Sequence, residues 1–400
     1  MPAADRKSDK TLLVVEPQCR GVEHADFNAA MIASLSVAYP DCRIAFFAQR
    51  EHASLVLQKL QSAKPEGARF ASLHNASVPR KSRNIISRYL AEKSLIARAI
   101  ASMPAQSIAA LWFVSSTPFT MYILDNVFEK TAERVAAYGV VHGGLASMQN
   151  RFANWPWSWG FFWKKALGSA SRCAMQLFVL GECIRQELQA RWPALAARIL
   201  SLDFPHFLAE MQNAPAGAAQ KIRFGVIGGQ AGLFEIAALA RSSGDLRENA
   251  SFSHAGFVRN AWQAKSIRDI FSDVSTLPLP DEEFDRRIGG FTYAVFCQNS
   301  DHYRLCASAA FIEAFCRGLP CIALRNNYIS DFVRRYGDIG HVCESAADIR
   351  KTMQEVSARF PLDRYFKQRN NILNGRKSFA PESIGKAIAA AVRRIGEEKS

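Results

Sequence analysis

The sequence predicts an α/β protein of two doubly wound, parallel-sheet domains, and three features predict it. Apolar segments of strand length alternate with segments of helical period from residue 11 onward. The chain has 400 residues, beyond the roughly 250 to 300 at which a single core usually stops growing. A small, uncharged run at 213–219 (NAPAGAA) interrupts the alternation, which restarts at residue 222.

The elements follow in order. Residues 11–16 form a short apolar strand, and 25–39 a helix with Phe27, Met31, Leu35 and Ala38 on one face. Residues 43–48 are the next strand, 51–61 a helix, 69–73 a strand and 83–102 a long helix rich in Ile, Leu and Ala. Further strands fall at 108–114, 138–142 and 175–180. After the break come a strand at 222–227, a glycine turn and a helix through Phe234 and Leu239. The chain closes on a helix at 381–395 with Lys386, Arg393 and Arg394. The domains are therefore expected at 1–213 and 221–380, joined by a linker at 214–220, with residues 381–400 as a terminal helix.

Residues 291–340 carry the most information. They read as a strand at 292–297, a polar loop at 301–308, a helix at 309–316 stopped by Gly318, and a buried strand at 320–324. In a parallel sheet, ligands gather beyond the carboxyl ends of the strands, where a helix N-terminus offers unpaired N–H groups and a positive dipole end to an anion. Ser308 stands at such an end. The run Tyr303, Ser308, Glu313-Ala314, Gly318, Pro320, then Gly337 and Gly340 resembles the nucleotide-sugar-binding half of GT-B glycosyltransferases.

That resemblance implies two Rossmann-like domains facing a central cleft, with the last helix crossing back onto the first domain. It also implies a donor pyrophosphate over the helix start near Ser308, and a ribose held by Glu313. Many retaining members carry a second glutamate eight positions earlier; here that position is Leu305.

Bulk properties narrow the classes. The net charge of +14 suits nucleic acid, an anionic membrane surface or phosphorylated small molecules, but no zinc-finger or RNA-binding signature supports nucleic acid. The nine cysteines are scattered without a Cys-x-x-Cys pair, which reads as reduced packing residues and no zinc site. No secretory signal and no run of about 20 apolar residues is present. A cytoplasmic protein, in peripheral contact with the inner leaflet, is the expectation.

Four places carry candidate chemistry. The turn after residue 227 holds Gly228, Gly229 and Gly232, which permits close backbone approach to a phosphate or is simply a tight turn. It lacks the lysine of a phosphate loop, so Arg304 or Lys265 is expected to supply the positive charge. On the helix at 309–316, Phe311, Ile312 and Phe315 share a face opposite Glu313, which is either a ribose ligand or a solvated carboxylate; Tyr303 and Arg304 lie just upstream to stack on or pair with the nucleotide. His142 ends an apolar strand ahead of Gly143-Gly144, at a place suited to binding a sugar hydroxyl or shuttling a proton, as many GT-B enzymes use a histidine there. The loop at 18–24 resembles an acceptor-side loop, with Gly21 giving room and Glu23 or His24 as base; alternatively Glu23 only complements a helix dipole.

One further segment, 152–165, concentrates Trp155, Trp157, Trp159 and Trp163 ahead of Lys164-Lys165. Tryptophan beside lysine favours the lipid headgroup region, while aromatic clusters also fill cores; Pro156 and Gly160 are expected to interrupt any long helix. Together these readings imply a metal-independent hexosyltransferase that moves a sugar from a nucleotide-sugar co-substrate, with no other cofactor, to a glycan or polyprenyl-linked acceptor in cell-surface polysaccharide synthesis. Two rivals remain: a non-catalytic protein of the same fold that binds membranes or a subunit, and a sugar-nucleotide epimerase.

Overall fold

The computed structural model describes residues 10–63, 70–76, 85–128, 135–168, 175–196, 198–209, 221–229, 232–298 and 301–397. The linker expected at 214–220 lies outside them. The chain divides into two compact units, one of Met1–Phe207 with Leu305–Ala307 and Ser378–Ser400, the other of Leu208–Arg304 with Ser308–Lys377.

The first unit contains β1 (Thr11–Val15), β2 (Arg43–Gln49), β3 (Phe70–Ala76), β4 (Ile108–Phe113), β5 (Ala137–Val141), β6 (Gln176–Val179) and β7 (Ile199–Ser201). They form one parallel sheet in the order β3-β2-β1-β4-β5-β6-β7. The winding runs outward from β1 to β3, then jumps back beside β1 for β4 and proceeds the other way. Parallel strands need crossovers that cover both faces, so the central strands are apolar without alternation; Leu12 to Val15 are all fully buried.

The second unit contains β8 (Ile222–Ile227), β9 (Ala250–Ala255), β10 (Tyr293–Phe296), β11 (Cys321–Leu324) and β12 (Gly340–Cys343), in the parallel order β12-β11-β10-β8-β9. Its winding reverses between β8 and β10. Phe224, Val226, Tyr293, Val295 and Ile322 from the strands pack with Ile236, Phe271, Met353 and Tyr365 from the surrounding helices and loops.

The short helix Ala261–Lys265 is capped by the Asn260 side chain, which accepts from Trp262 N–H and Gln263 N–H. One difference from the sequence reading has a local cause. Gly160 does not interrupt its helix, which runs Trp159–Gly168; the missing side chain lets the helix approach Ala153 and the Ser147 carbonyl, 2.5 Å from where a Cβ would stand.

The closing helix Pro381–Glu397 belongs to the first unit and packs on the helix Ala25–Ala38. This explains why Ala25–Ala38 is buried around most of its circumference, with Ala29, Ala30, Met31, Ile32 and Leu35 all hidden. The helices meet at Gly385, where a Cβ would stand 2.5 Å from the Ser34 carbonyl oxygen and 2.6 Å from Val37 Cβ. Replacing Gly385 by Ala is therefore expected to lower unfolding free energy by roughly 1–3 kcal/mol through overpacking, measured by urea denaturation of the intact protein.

Candidate functional site

In a doubly wound sheet, the place where winding reverses leaves a crevice at the carboxyl ends of two neighbouring strands. In the first sheet those strands are β1 and β4, and a cavity of about 170 Å³ opens there. It is lined by Gln18, Cys19, Glu23 and His24 after β1, Ser115 to Pro118 after β4, His142 to Gly144 after β5, and Trp159 and Trp163. Three sequence-predicted residues, Glu23, His24 and His142, are thus brought together from positions more than a hundred residues apart.

Glu16 organises this end of the sheet. Its carboxylate is fully buried and accepts four hydrogen bonds: from Gln18 N–H at 2.7 Å, Cys19 N–H at 2.9 Å, Asn28 Nδ2 at 2.9 Å and Ser115 Oγ at 2.6 Å. A buried carboxylate is tolerable only when satisfied in this way. The loop carrying Glu23 and His24 is thereby tied to both β4 and the first helix. His52 extends the network: its Nε2 accepts from Asn28 Nδ2 at 2.7 Å, so its Nδ1–H donates to the Gly21 carbonyl at 2.8 Å. Gly21 itself has φ 49, which a glycine adopts without strain, and it shapes the loop without lining the cavity.

The opposite wall rests on a second buried carboxylate. Glu92 accepts from Thr117 Oγ1 at 2.7 and 2.9 Å and from Thr120 Oγ1 at 2.6 Å, and burial pushes its carboxyl up to about 7. Arg88 donates to Gln18 Oε1 at 2.8 Å and lies 4.4 Å over the Trp159 ring. The sequence reading did not single out Glu16, Ser115, Thr117, Glu92 or Arg88. The available signals were a glutamate closing an apolar strand and a Ser-Ser-Thr-Pro run of helix-capping type.

His142 is packed against Phe27 and His24, with ring centroids 4.3 and 4.6 Å away. Its Nε2 lies 2.8 Å from the Val114 carbonyl, which only accepts, so Nε2 carries the proton and Nδ1 the lone pair. Burial, reinforced by the neighbouring His24, lowers its pKa to about 3. Of the two roles expected of it, so weak a base suits orienting a hydroxyl better than shuttling a proton, and Glu23 and His24 remain the candidates for base. Gly144 also leaves room for Trp163: a Cβ on it would lie 2.9 Å from Trp163 Nε1.

Of the tryptophan segment, Trp155 and Trp157 are each 66% exposed and Phe152 is 43% exposed. Trp163 is buried and Trp159 half-buried under Arg88, and both line the cavity. These two leave the set of lipid-contact candidates. Lys164 donates to Asn154 Oδ1 at 2.7 Å, and Lys165 is exposed 5.5 Å from the Phe161 ring.

In the second unit the winding reverses between β8 and β10. Gly228 (φ 87) turns the chain after β8, and a Cβ on it would stand 3.6 Å from that of Ala310 in the first turn of the helix Ala309–Cys316. Gly229 borders open space. Ser308 is the N-cap of that helix, buried, its Oγ accepting from Phe311 N–H at 3.3 Å. The free N–H groups of such a first turn and the dipole favour an anion.

Glu313 is neither in the core nor simply solvated: it pairs with Arg317, which also holds Asp285 at 2.6 Å. Tyr303 and Arg304 sit in the turn His302–Arg304, both half-buried, with Arg304 3.3 Å from Asp301. Lys265 is exposed at the end of its short helix.

Similarity to solved structures defines the fold class. The chain matches Anabaena HepE in complex with UDP-glucose at a TM-score of 0.64 and 11% identity, covering 96% of this chain and 99% of that one. TarM aligns at 0.63 and 12% over 94% and 97%, and WaaG, a glycosyltransferase involved in lipopolysaccharide biosynthesis, at 0.59 and 11% over 94% and 98%. The fold is GT-B. No protein-family model and no curated protein matches the sequence.

The His142 geometry has a pH signature. A folded pKa of about 3 against an ordinary value near 6.5 means that the unfolded chain takes up the proton first on acidification, so this residue's contribution to stability is complete above pH 6.5 and declines as pH falls from there toward 3. A His142→Asn variant should show a weaker loss of Tm between pH 6.5 and 4 than the unaltered protein; equal slopes in calorimetry would contradict a His142 that stays neutral in the folded protein.

Proposed function

We propose that this protein is a metal-independent glycosyltransferase that moves a sugar from a nucleotide-sugar donor to a glycan or lipid-linked acceptor in cell-surface polysaccharide synthesis. One observation carries the reading: within a GT-B fold, the glycine turn after β8 meets the first turn of the helix Ala309–Cys316 where the second sheet reverses its winding. A diphosphate seated there receives backbone N–H groups and the positive end of the helix dipole, and charge supplied in that manner replaces a bridging metal. The structure of HepE with UDP-glucose, and that of a Staphylococcus aureus TarM variant with UDP, supports the donor class.

In this reading Glu313, kept in place by Arg317 and Asp285, accepts from the ribose hydroxyls. The cavity of the first unit takes the acceptor. There Glu23 or His24 removes the proton of the attacking hydroxyl while His142 Nδ1 orients it. A thermal-shift panel of nucleotides and nucleotide sugars should single out one nucleotide that raises Tm, with transfer persisting in EDTA. Glu313→Ala should then bind that nucleotide about tenfold more weakly, as expected for losing a hydrogen bond to a charged group. A panel without any stabilising member would defeat the donor assignment.

The acceptor's lipid linkage is supported by the exposed apolar segment. Phe152, Trp155 and Trp157 reach solvent beside Arg151 and Lys165, and Trp157 adopts φ 72, a conformation that a bulky residue occupies only at a cost. Aromatic rings with adjacent cations suit the headgroups of an anionic leaflet. The double variant Trp155→Ser/Trp157→Ser should lose at least tenfold in partitioning to phosphatidylglycerol vesicles by co-sedimentation, while its thermal stability stays unchanged.

A further inference from the structure

The turn after β8 is held in place by a histidine that the donor reading does not use. His254, near the end of β9, is fully buried. Its Nε2 lies 2.9 Å from the carbonyl oxygen of Gly228, which can only accept, so Nε2 carries the proton and donates it. Burial lowers the pKa of this ring and keeps it neutral. Nδ1 is buried and has no partner among the described residues. A buried ring nitrogen left unpaired is unfavourable, and a phenylalanine at the same place would avoid that penalty.

Gly228 is gripped on both sides of its backbone. Its N–H donates to the Ala255 carbonyl at 2.8 Å, and its carbonyl oxygen rests where Gly256 has no side chain, 1.9 Å from where a Cβ would be. The Gly228–Gly229 peptide is trans, and in a trans peptide the C=O and the following N–H point in opposite directions. With the Gly228 carbonyl turned toward His254, the Gly229 N–H is turned away from it. Gly228 also lies against Ala310 at the amino end of the helix Ala309–Cys316, and Gly229 has open space beside it.

We infer that His254 is a positioning residue for the donor diphosphate: by fixing the Gly228 carbonyl it aims the Gly229 N–H at the phosphate carried by the start of the helix Ala309–Cys316. This rests on the donor site proposed above. His254 touches no substrate and acts through the peptide plane it orients. Without the Nε2 donor, the Gly228 carbonyl keeps only its packing beside Gly256, and the Gly228–Gly229 peptide is held less firmly in this orientation.

The test compares the unaltered protein with His254→Phe, which removes the donor, and His254→Gln, whose Nε2 reaches about as far as the histidine Nε2. Binding of UDP, GDP, ADP and CDP and of the matching monophosphates is measured by calorimetry, with circular dichroism confirming that each variant is folded. The expected result is that one diphosphate binds the unaltered protein, that His254→Phe weakens it roughly tenfold or more, as for loss of a charge-assisted hydrogen bond, that its monophosphate weakens less, and that His254→Gln recovers most of the loss. A folded His254→Phe that binds the diphosphate as well as the unaltered protein overturns the inference and leaves the donor site standing. Equal weakening of diphosphate and monophosphate, or no recovery by Gln, assigns His254 a packing role only and also overturns it. An unaltered protein that binds no member of the set overturns the donor site and the inference together.

Discussion

The functional geometry depends on one constraint: a parallel sheet that winds first one way and then the other cannot cover the carboxyl ends of the two strands at its reversal. Polar backbone and loop atoms at that point must find partners other than a crossover helix. In the first sheet the reversal between β1 and β4 is closed by Glu16, which accepts from two loop N–H groups, Asn28 and Ser115. In the second sheet the reversal between β8 and β10 is closed from behind by His254 and the Ala255 carbonyl.

The two reversals are finished differently, and the difference has chemical meaning. Around the first, charged and hydroxyl groups are bonded to one another, as in the chain from Arg88 through Gln18 to the Ser115 carbonyl, so apart from the Glu23 carboxylate the cavity presents oriented dipoles and aromatic surface. Such a lining suits a polyhydroxyl compound whose groups both donate and accept. At the second, the backbone is supported from behind by His254 on the Gly228 carbonyl, and Gly229 borders open space. Unpaired N–H groups at a helix start select an anion.

Much of the fold was legible because parallel strands buried on both faces are continuous apolar runs: β1, β2, β4, β8, β10 and β11 all lie where such runs occur. β9 escaped because it is an edge strand whose sequence, ASFSHA, mixes serine and histidine with apolar residues; it has one partner strand and less burial to demand apolarity. His254 escaped with it. The glycine turn and the helix start at Ser308 were legible because glycine and N-cap residues reflect local backbone geometry. Glu16 showed only as a glutamate closing an apolar strand, and Glu92 and Arg88 were not legible because their partners, Thr117, Thr120 and Gln18, lie far off in sequence. Trp163 illustrates the same limit from the other side: its burial depends on Gly144 across the fold, while its neighbours Trp155 and Trp157 are exposed.

The electrostatics of the second site follow from the size of each contribution. A helix terminus is worth roughly 0.3 to 1 kcal/mol to an exposed charge and about 2 in favourable partly buried geometry, which is small for a group carrying two or more negative charges. The glycine turn brings no lysine or arginine of its own, and the acidic Glu313 is already neutralised by Arg317. On the proposed donor reading, the remaining attraction comes from basic groups acting over distance, in keeping with the excess of 50 Lys and Arg over 36 Asp and Glu. Because such attraction is screened over about 8 Å at physiological ionic strength, it would act mainly on encounter rate, whereas short-range backbone donors would fix the orientation of the diphosphate. On that reading the burden of specificity falls on the few contacts that hold the Gly228–Gly229 peptide in one orientation.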